Sequence, residues 1–357
     1  LVTTAVFGRH VFLRERLGAS FGKVVPLLSS QPNSIDTSAL VSFVDLNPAT
    51  EDFRTAVIDG LSNPQKELPC KFFYDERGSQ IFDQICDLEE YYPTRTEISI
   101  LEDRLGEIAE LVGRGAHLVE LGSGASIKIR TLLNALPDLA QYTAIDISRD
   151  FLLQSASTLA EDYPDLDVAA ICADYTTDFE IPAAIKRRSS GTVAFFPGST
   201  IGNFTQEEAR LFLKRLASIL GTGSGLLIGV DLKKDAAVLR AAYNDAKGVT
   251  AAFNMNLLSR INNELGADFD LESFYHDAVY VDSLGRVEMR LISKKKQTVS
   301  VGQTTFEFDE NEYIHTENSH KFSVDEFRQI CEMAGFTPIA SWTDKNSLFS
   351  VHYLTVG

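Results

Sequence analysis

The chain has 357 residues, of which 44% are hydrophobic and 23% charged, and its formal net charge is −17. That composition belongs to a folded protein able to bury a sizeable core, and no apolar run approaches the length that crosses a bilayer. The acid excess repels phosphate backbones and anionic lipid, which excludes nucleic acid and membrane as partners and suits a small-molecule substrate.

Leu1 to His10 lack the long apolar stretch and small-residue cleavage site of a secretory signal, so the protein is expected to be cytoplasmic, and a monomer. Cys70, Cys86, Cys172 and Cys331 form no C-x-x-C pair and read as free thiols. His10, His117, His276, His315, His320 and His352 show no ligand spacing, and no metal is expected.

In chain order, residues 1–45 mix Gly, Ser, Pro and Gln without periodicity and read as a loosely ordered arm. A helical pattern begins near Asn47, with Phe53, Val57, Ile58 and Leu61 on one face. A second helix opens near Ser79. Tyr91-Tyr-Pro-Thr-Arg-Thr-Glu reads as a turn and a new helix, with Thr94 and Glu97 as a capping box.

From Leu118 strands and helices alternate. Strands are predicted at Leu118–Leu121, Tyr142–Asp146, Val168–Cys172, Val193–Phe196 and Gly225–Asp231. Helices are predicted between them, including Phe151–Leu159 and Glu207–Leu220. This alternation implies an α/β fold with a parallel sheet covered on both faces. After Asp231 it breaks: a long helical stretch follows, then strands around Tyr280 and at Arg286–Ser293. A helix at Val324–Ala334 and strands at Thr337–Trp342 and Phe349–Leu354 would complete a Rossmann-like class I methyltransferase sheet. Residues 234–321 are then an insertion able to cover the substrate.

Glu120-Leu-Gly-Ser-Gly sits where a strand turns into a helix, where glycines let backbone approach a ligand. Asp146 ends the next strand, placed to accept ribose hydroxyls, and Asp174-Tyr175 follows the third, placed to flank an adenine. A dinucleotide fingerprint would need glycine at position 127, where Ile127 stands. S-adenosylmethionine has no pyrophosphate and does not need that glycine. The cofactor-binding candidates are Gly122, Ser123, Gly124, Lys128, Asp146, Asp174 and Tyr175.

Phe73-Tyr-Asp-Glu-Arg-Gly-Ser, Tyr91-Tyr-Pro-Thr-Arg-Thr-Glu, Glu120-Leu-Gly-Ser-Gly, Pro197-Gly-Ser-Thr-Ile-Gly-Asn-Phe, Gly248-Val-Thr-Ala-Ala-Phe-Asn and Thr316-Glu-Asn-Ser together resemble the histidine-specific Nα-methyltransferase family of ergothioneine biosynthesis, from about residue 50 to the C-terminus. Ala125 stands where the family often has threonine. The resemblance implies a substrate-binding domain of residues 46–95 and 234–321 and a cofactor-binding domain of residues 96–233 and 322–357. It implies S-adenosylmethionine as methyl donor and L-histidine as substrate, methylated three times to hercynine. Carried over residue by residue, Asn203, Tyr91 and Tyr243 match positions that hold the substrate's amine and carboxylate, and Gly198 lies beside the amine. Tyr74, Met289, Glu317 and Ser319 match the imidazole pocket, and Asn203 and Tyr74 are the catalytic candidates.

The residue chemistry agrees. Neutral imidazole has one N–H donor and one acceptor nitrogen. Glu317 and Ser319 alternate with Asn318, so on an extended segment they face one ring. A tyrosine hydroxyl, a water chain or bulk solvent can each take the amine proton. Two alternatives stay open: a relative methylating another aromatic amino acid, and a non-catalytic S-adenosylmethionine-binding regulatory module.

Overall fold

The short apolar runs become strands of one sheet, with successive residues packed on opposite faces. The structure is a computed structural model that describes residues 37–46, 52–124, 127–136, 138–177, 179–182, 185 and 189–357. Most of the expected N-terminal arm, and with it Asn47 and Ala125, lies outside the described residues.

The chain opens with β1 (Ser42–Asp45) and the helices α1 (Phe53–Ser62), α2 (Glu76–Cys86), α3 (Tyr92–Asp103) and α4 (Leu105–Val112). Then β2 (His117–Leu121), α5 (Ile127–Ala135), β3 (Gln141–Asp146), α6 (Arg149–Asp162), β4 (Val168–Cys172), β5 (Thr192–Phe196), α7 (Gln206–Leu220) and β6 (Gly225–Asp231) alternate. After an intervening segment, α10 (Val324–Met333), β12 (Phe336–Thr343) and β13 (Phe349–Val356) close the fold; α8, α9 and β7 to β11 belong to that segment. The sheet order is β1-β4-β3-β2-β5-β6-β13-β12. Only β13 runs against the rest, paired antiparallel with β6 and β12. This is the class I methyltransferase order with one strand added at the β4 edge.

Leu118 and Ala144 join the core under α3 to α6, whereas Val119 and Ile145 join the core under α7 and α10. Strands buried on both faces favour apolar residues throughout, as in Val168-Ala-Ala-Ile-Cys, and the polar residues of β2 and β3 are buried with side-chain partners, such as Glu120 with Tyr142 and His117 with Thr143.

The intervening segment contains α8 (Ala236–Tyr243), α9 (Val249–Leu265), β7 (Phe274–Val281), β8 (Arg286–Ser293), the β9–β10 hairpin (Gln297–Val301, Thr304–Phe308) and β11 (Tyr313–His320). β11, β8 and β7 form a separate antiparallel sheet in that order. Val57, Leu61, Ile81 and Ile85 from α1 and α2 share a core with Phe253, Leu257, Met289 and Leu291 of the segment. Glu67 bridges His315 on β11, so the N-terminal helices and the segment pack as one body. The segment leaves and rejoins the large sheet through adjacent strands. Leu232 bridges Phe322, the Lys233 N–H donates to Phe322 O at 2.9 Å, and the Phe322 N–H to Asp231 O at 3.2 Å.

Four expectations need correction. Ser42–Asp45, expected in the loose arm, is an edge strand pairing in parallel with β4, where its backbone satisfies an otherwise open sheet edge. α2 starts at Glu76 rather than near Ser79, because the Asp75 side chain caps it by accepting from the Gly78 N–H. Thr94 and Glu97 form no capping box. α3 starts earlier with Pro93 in its first turn, and Glu97 points inward, fully buried. The long helical stretch is two helices, parted at Gly248, which has a positive φ of 74°. Among the described residues no helix is long and apolar enough to cross a membrane.

Glu97 reaches across β6. A Cβ added at Gly229 would stand 1.8 Å from Glu97 Oε1 and 3.0 Å from Phe349 Cε1. Both neighbours are buried and cannot retreat. Gly229→Ala is therefore expected to destabilise the fold by about 1–3 kcal/mol through overpacking, read as a lowered chemical-denaturation midpoint. A midpoint equal to wild type would mean that Glu97 moves freely.

Candidate functional site

The carboxyl ends of β2, β3, β4 and β5 converge, and sequence-predicted site residues stand at each. After β2, Gly122 and Gly124 turn with φ of 72° and 38°, where a side chain would be strained. A Cβ at Gly122 would lie 3.4 Å from Tyr175 Oη, so the tyrosine covers the turn. Ser123 between them is buried. Asp146 ends β3 and accepts from the Ser148 N–H at 2.9 Å, and from the Gly124 N–H, which ties the glycine turn to the next strand. Burial outweighs those bonds and raises its carboxyl. Asp174 follows β4 and accepts from the Thr176 N–H and hydroxyl at 2.9 and 2.6 Å. The Tyr175 ring packs edge-on against Phe196 and Phe212.

After β5 the chain turns through Gly198 (φ 82°) and Ser199, a non-glycine residue in the left-handed region at φ 56°. That strained residue is held because its Oγ accepts from the buried Asp231 N–H at 2.9 Å. The Gly198 N–H donates to Glu97 Oε2 at 2.9 Å, and the same carboxylate pairs with Lys128 Nζ at 2.6 Å. Helix α3, the β5 loop and the helix after the glycine turn thus meet at one buried carboxylate. Asn203 ends a short 3-10 turn, Thr200–Asn203, with Nδ2 at 3.9 Å from Cys70 Sγ.

Across this edge lies a wall of aromatic side chains. Tyr74 packs edge-on against Phe82 and Phe253, and Tyr91 against Phe82 and Tyr243. Tyr74 keeps 40% of its surface accessible although desolvation raises its phenol well above the ordinary range, so it faces an open recess in the protein. Desolvation raises Tyr91 in the same way.

β11 brings Glu317 and Ser319 to this wall, with Met289 opposite Glu317 on β8. Their surroundings differ. No group among the described residues hydrogen-bonds the Glu317 carboxylate in the structure, and burial pushes it up to about 7 against the pull of Lys321. Ser319 Oγ lies 2.7 Å from Tyr243 Oη and accepts from Lys321 Nζ at 2.8 Å. The expectation that both side chains stand equally ready for one ring is therefore modified: Glu317 is open, whereas Ser319 is already part of a network. Tyr243 and Ser319, assigned to opposite ends of a substrate, touch each other.

Sequence reasoning missed the polar core of that network. Lys321 Nζ donates to Asp231 Oδ2 at 2.6 Å and to Tyr243 Oη at 2.9 Å. Asp231 also accepts from Tyr92 Oη at 2.8 Å and pairs with Lys234 at 2.6 Å. Lys321 and Asp231 are essentially inaccessible. The only signal was position, since Asp231 ends a strand at the carboxyl edge of the sheet and Lys321 lies two residues after Ser319. Glu120, also missed, accepts from Tyr142 Oη at 2.5 Å and is pushed by burial to about 8.

The arrangement places a glycine turn and strand-end carboxylates beside a polar, aromatic recess. The family model described as histidine-specific methyltransferase, SAM-dependent, matches residues 53–356. This chain belongs to that family. A histidine N-alpha-methyltransferase of Mycolicibacterium smegmatis is 40% identical over 313 residues, covering 86% of this chain and 96% of that protein. One of Mycobacterium tuberculosis is 41% identical over 304 residues, covering 84% and 93%. Ergothioneine biosynthesis protein 1 of Neurospora crassa is 32% identical over 295 residues, which are 81% of this chain and 33% of that longer protein. The methyltransferase family is S-adenosylmethionine-dependent, and the glycine turn, Asp146 and Asp174 fit that cofactor. The turn has no Cβ to fill the cradle, and its partner carboxylates lie at successive strand ends.

The raised Glu317 has a measurable signature. Its ordinary value is 4.5, and in the fold it is about 7. Below 4.5 the folded and unfolded chains both hold the proton. Between these values the unfolded chain releases it first and stability falls, and above about 7 the penalty is complete, at about 3 kcal/mol. Glu317→Gln should raise the melting temperature at pH 8 and leave it nearly unchanged at pH 4. An equal gain at both would show that the change acts through packing.

Proposed function

We propose that this methyltransferase transfers methyl groups to the α-amine of L-histidine, three times, giving the trimethylated betaine hercynine for ergothioneine biosynthesis. The observation that carries the reading is Glu317: a half-buried carboxylate, desolvated and without a hydrogen-bond partner among the described residues, held against an aromatic recess. A desolvated acceptor of this kind is costly while unpaired and is compensated by a ligand N–H. Neutral imidazole supplies that N–H at the end of a short side chain. An indole or phenol ring lacks the second polar edge that Ser319 and its network would meet, and for that reason we place histidine first.

The substrate-binding part is proposed to be residues 46–95 with 234–321, and the cofactor-binding part residues 96–233 with 322–357, to which the edge strand Ser42–Asp45 is added. Gly122, Ser123, Gly124, Lys128, Asp146, Asp174 and Tyr175 would hold S-adenosylmethionine, which supplies an electrophilic methyl group on a sulfonium. Asn203, next to Gly198 on the loop after β5, would orient the amine through its side-chain carbonyl, leaving the lone pair aimed at the cofactor edge. Tyr91 would hold the carboxylate by donating its hydroxyl hydrogen, with Tyr243 beside it bringing the Lys321 charge to that end. The buried charges favour that end: Asp231 is outnumbered by Lys321 and Lys234, leaving a positive charge to be balanced. Tyr74 and Met289 would close the ring pocket beside Glu317 and Ser319. Oxygens around the amine stabilise the cation that forms at each methylation better than an apolar wall would.

The decisive experiment is incubation with radiolabelled S-adenosylmethionine and a panel of amino acids. Transfer to histidine well above phenylalanine and tryptophan is expected, and label reaching none of them would leave a cofactor-binding module. Two variants separate the halves of the site. Asp146→Ala should weaken cofactor binding by about 1.5–3 kcal/mol in calorimetry. Asn203→Ala should bind the cofactor normally yet lose about 100-fold in turnover, because alignment of the amine is lost. Wild-type turnover in the second variant would remove Asn203 from the reaction.

A further inference from the structure

We propose that Lys321 is a positioning residue for substrate specificity: its ammonium compels the Ser319–Tyr243 hydroxyl pair to present a hydrogen-bond donor, never only acceptors, to the ring of the substrate. This rests on the reading of Glu317 and Ser319 as the ring pocket.

The hydrogen count leads there. An ammonium has three N–H bonds and no acceptor. Those of Lys321 are taken by Asp231 Oδ2 at 2.6 Å, Ser319 Oγ at 2.8 Å and Tyr243 Oη at 2.9 Å. Both hydroxyl oxygens therefore accept from the lysine, and neither can spend its hydrogen there. The two oxygens are 2.7 Å apart, so one hydroxyl donates to the other. One hydroxyl hydrogen is left over, and no other acceptor among the described residues takes it. Phenol is the more acidic hydroxyl and the better donor, which makes Tyr243 the donor to Ser319 and leaves the Ser319 hydrogen for the ligand.

Ser319 shares β11 with Glu317, one residue intervening. The strand thus offers an acceptor and a donor side by side, the complement of a neutral imidazole with its N–H and its bare nitrogen. Without Lys321 the pair could rotate, and Ser319 could turn its hydrogen away. Lys321 is wholly buried, and its ion pair with Asp231 fixes it from behind, where β6 ends. Its contact with the substrate is indirect, through hydroxyl orientation.

The test compares L-histidine with β-(3-pyrrolyl)alanine, which keeps the distal ring N–H and replaces the other, acceptor nitrogen by C–H. Wild type is expected to prefer histidine. In Lys321→Met the ratio of kcat/KM values should fall about tenfold, mainly through a higher KM for histidine, with affinity for S-adenosylhomocysteine unchanged. A purely structural lysine would lower both activities together and leave the ratio alone, which overturns the proposal. Ser319→Ala should lose the preference to the same extent, and Lys321→Met should add nothing in that background. Tyr243→Phe should lower activity on both amino acids while keeping the ratio, since Ser319 still accepts from Lys321 and still donates. These last two variants decide the matter even when Lys321→Met fails to fold: a preference kept by Ser319→Ala, or lost in Tyr243→Phe, sinks the assignment. A wild-type enzyme indifferent to the two amino acids would instead overturn the ring reading itself, and this inference with it.

Discussion

The carboxylate of Asp231 stands at the end of β6, where the chain leaves the large sheet, and its ammonium partner Lys321 stands where the chain comes back. Burying both ions costs several kcal/mol each, and the pair is tolerable only because every remaining valence is used: Tyr92 and Lys234 complete the aspartate, while Tyr243 and Ser319 complete the lysine. Such a pair adds little net stability compared with an apolar replacement, but breaking one half of it is severe. Its contribution is registration. It connects α3, the end of β6, α8 and β11, which carry Tyr92, Asp231, Tyr243 and Ser319. The small sheet is thereby fixed in place relative to the strand ends of the large one.

A second buried carboxylate works similarly beside the glycine turn. Glu97 holds Lys128 and the Gly198 N–H, so the helix after the glycine turn and the loop after β5 are set by one group. The requirement that Gly229 carry no side chain follows from the path Glu97 takes across the sheet. The two carboxylates lie at opposite ends of the same short helical entry, with Tyr92 reaching one and Glu97 supplying the other. The segment Tyr91-Tyr-Pro-Thr-Arg-Thr-Glu is therefore a joint between the end of β6 and the loops after β2 and β5, which a single-face helix pattern does not express.

The alternation of apolar runs and helical patterns made the large sheet legible, because strands buried on both faces leave little freedom of composition. Glycines and acids at successive strand ends made the carboxyl edge of the sheet legible for the same reason: few residue types suit those backbone positions. The β9–β10 hairpin and the edge strand β1 were less visible. The pairing of β1 depends on a partner far along the chain, with Ser42 opposite Ala169, and short strands with one exposed side, as in the locally paired hairpin, carry little pattern of their own. Thr94 and Glu97 show the opposite failure. Their spacing fits a capping box, yet Pro93 begins the helix earlier and the tertiary demand for a carboxylate beside Lys128 prevails. Lys321 was illegible because a lysine next to a strand is ordinarily a solvated charge, and nothing local announces an aspartate ninety residues earlier as its partner.

The electrostatics also narrow how the amine of an amino-acid substrate can lose its proton. A tyrosine acts as a base in its own right only as phenolate, and desolvation moves Tyr74, Tyr91 and Tyr243 away from that form. The neighbouring Glu317 adds to the effect on all three. Asp231 is held in its charged form by Lys321 and Lys234, and a carboxylate stabilised in this way is a poor proton acceptor. The phenols near the reacting edge are thus neutral at physiological pH, fit to orient and to relay but unfit to retain a proton. For a methylation that aligns an amine lone pair this is a consistent design, since a phenolate would itself compete for the methyl group. A proton that these phenols and Asp231 cannot retain has to pass on, either before the amine settles or through neutral hydroxyls that end as they began.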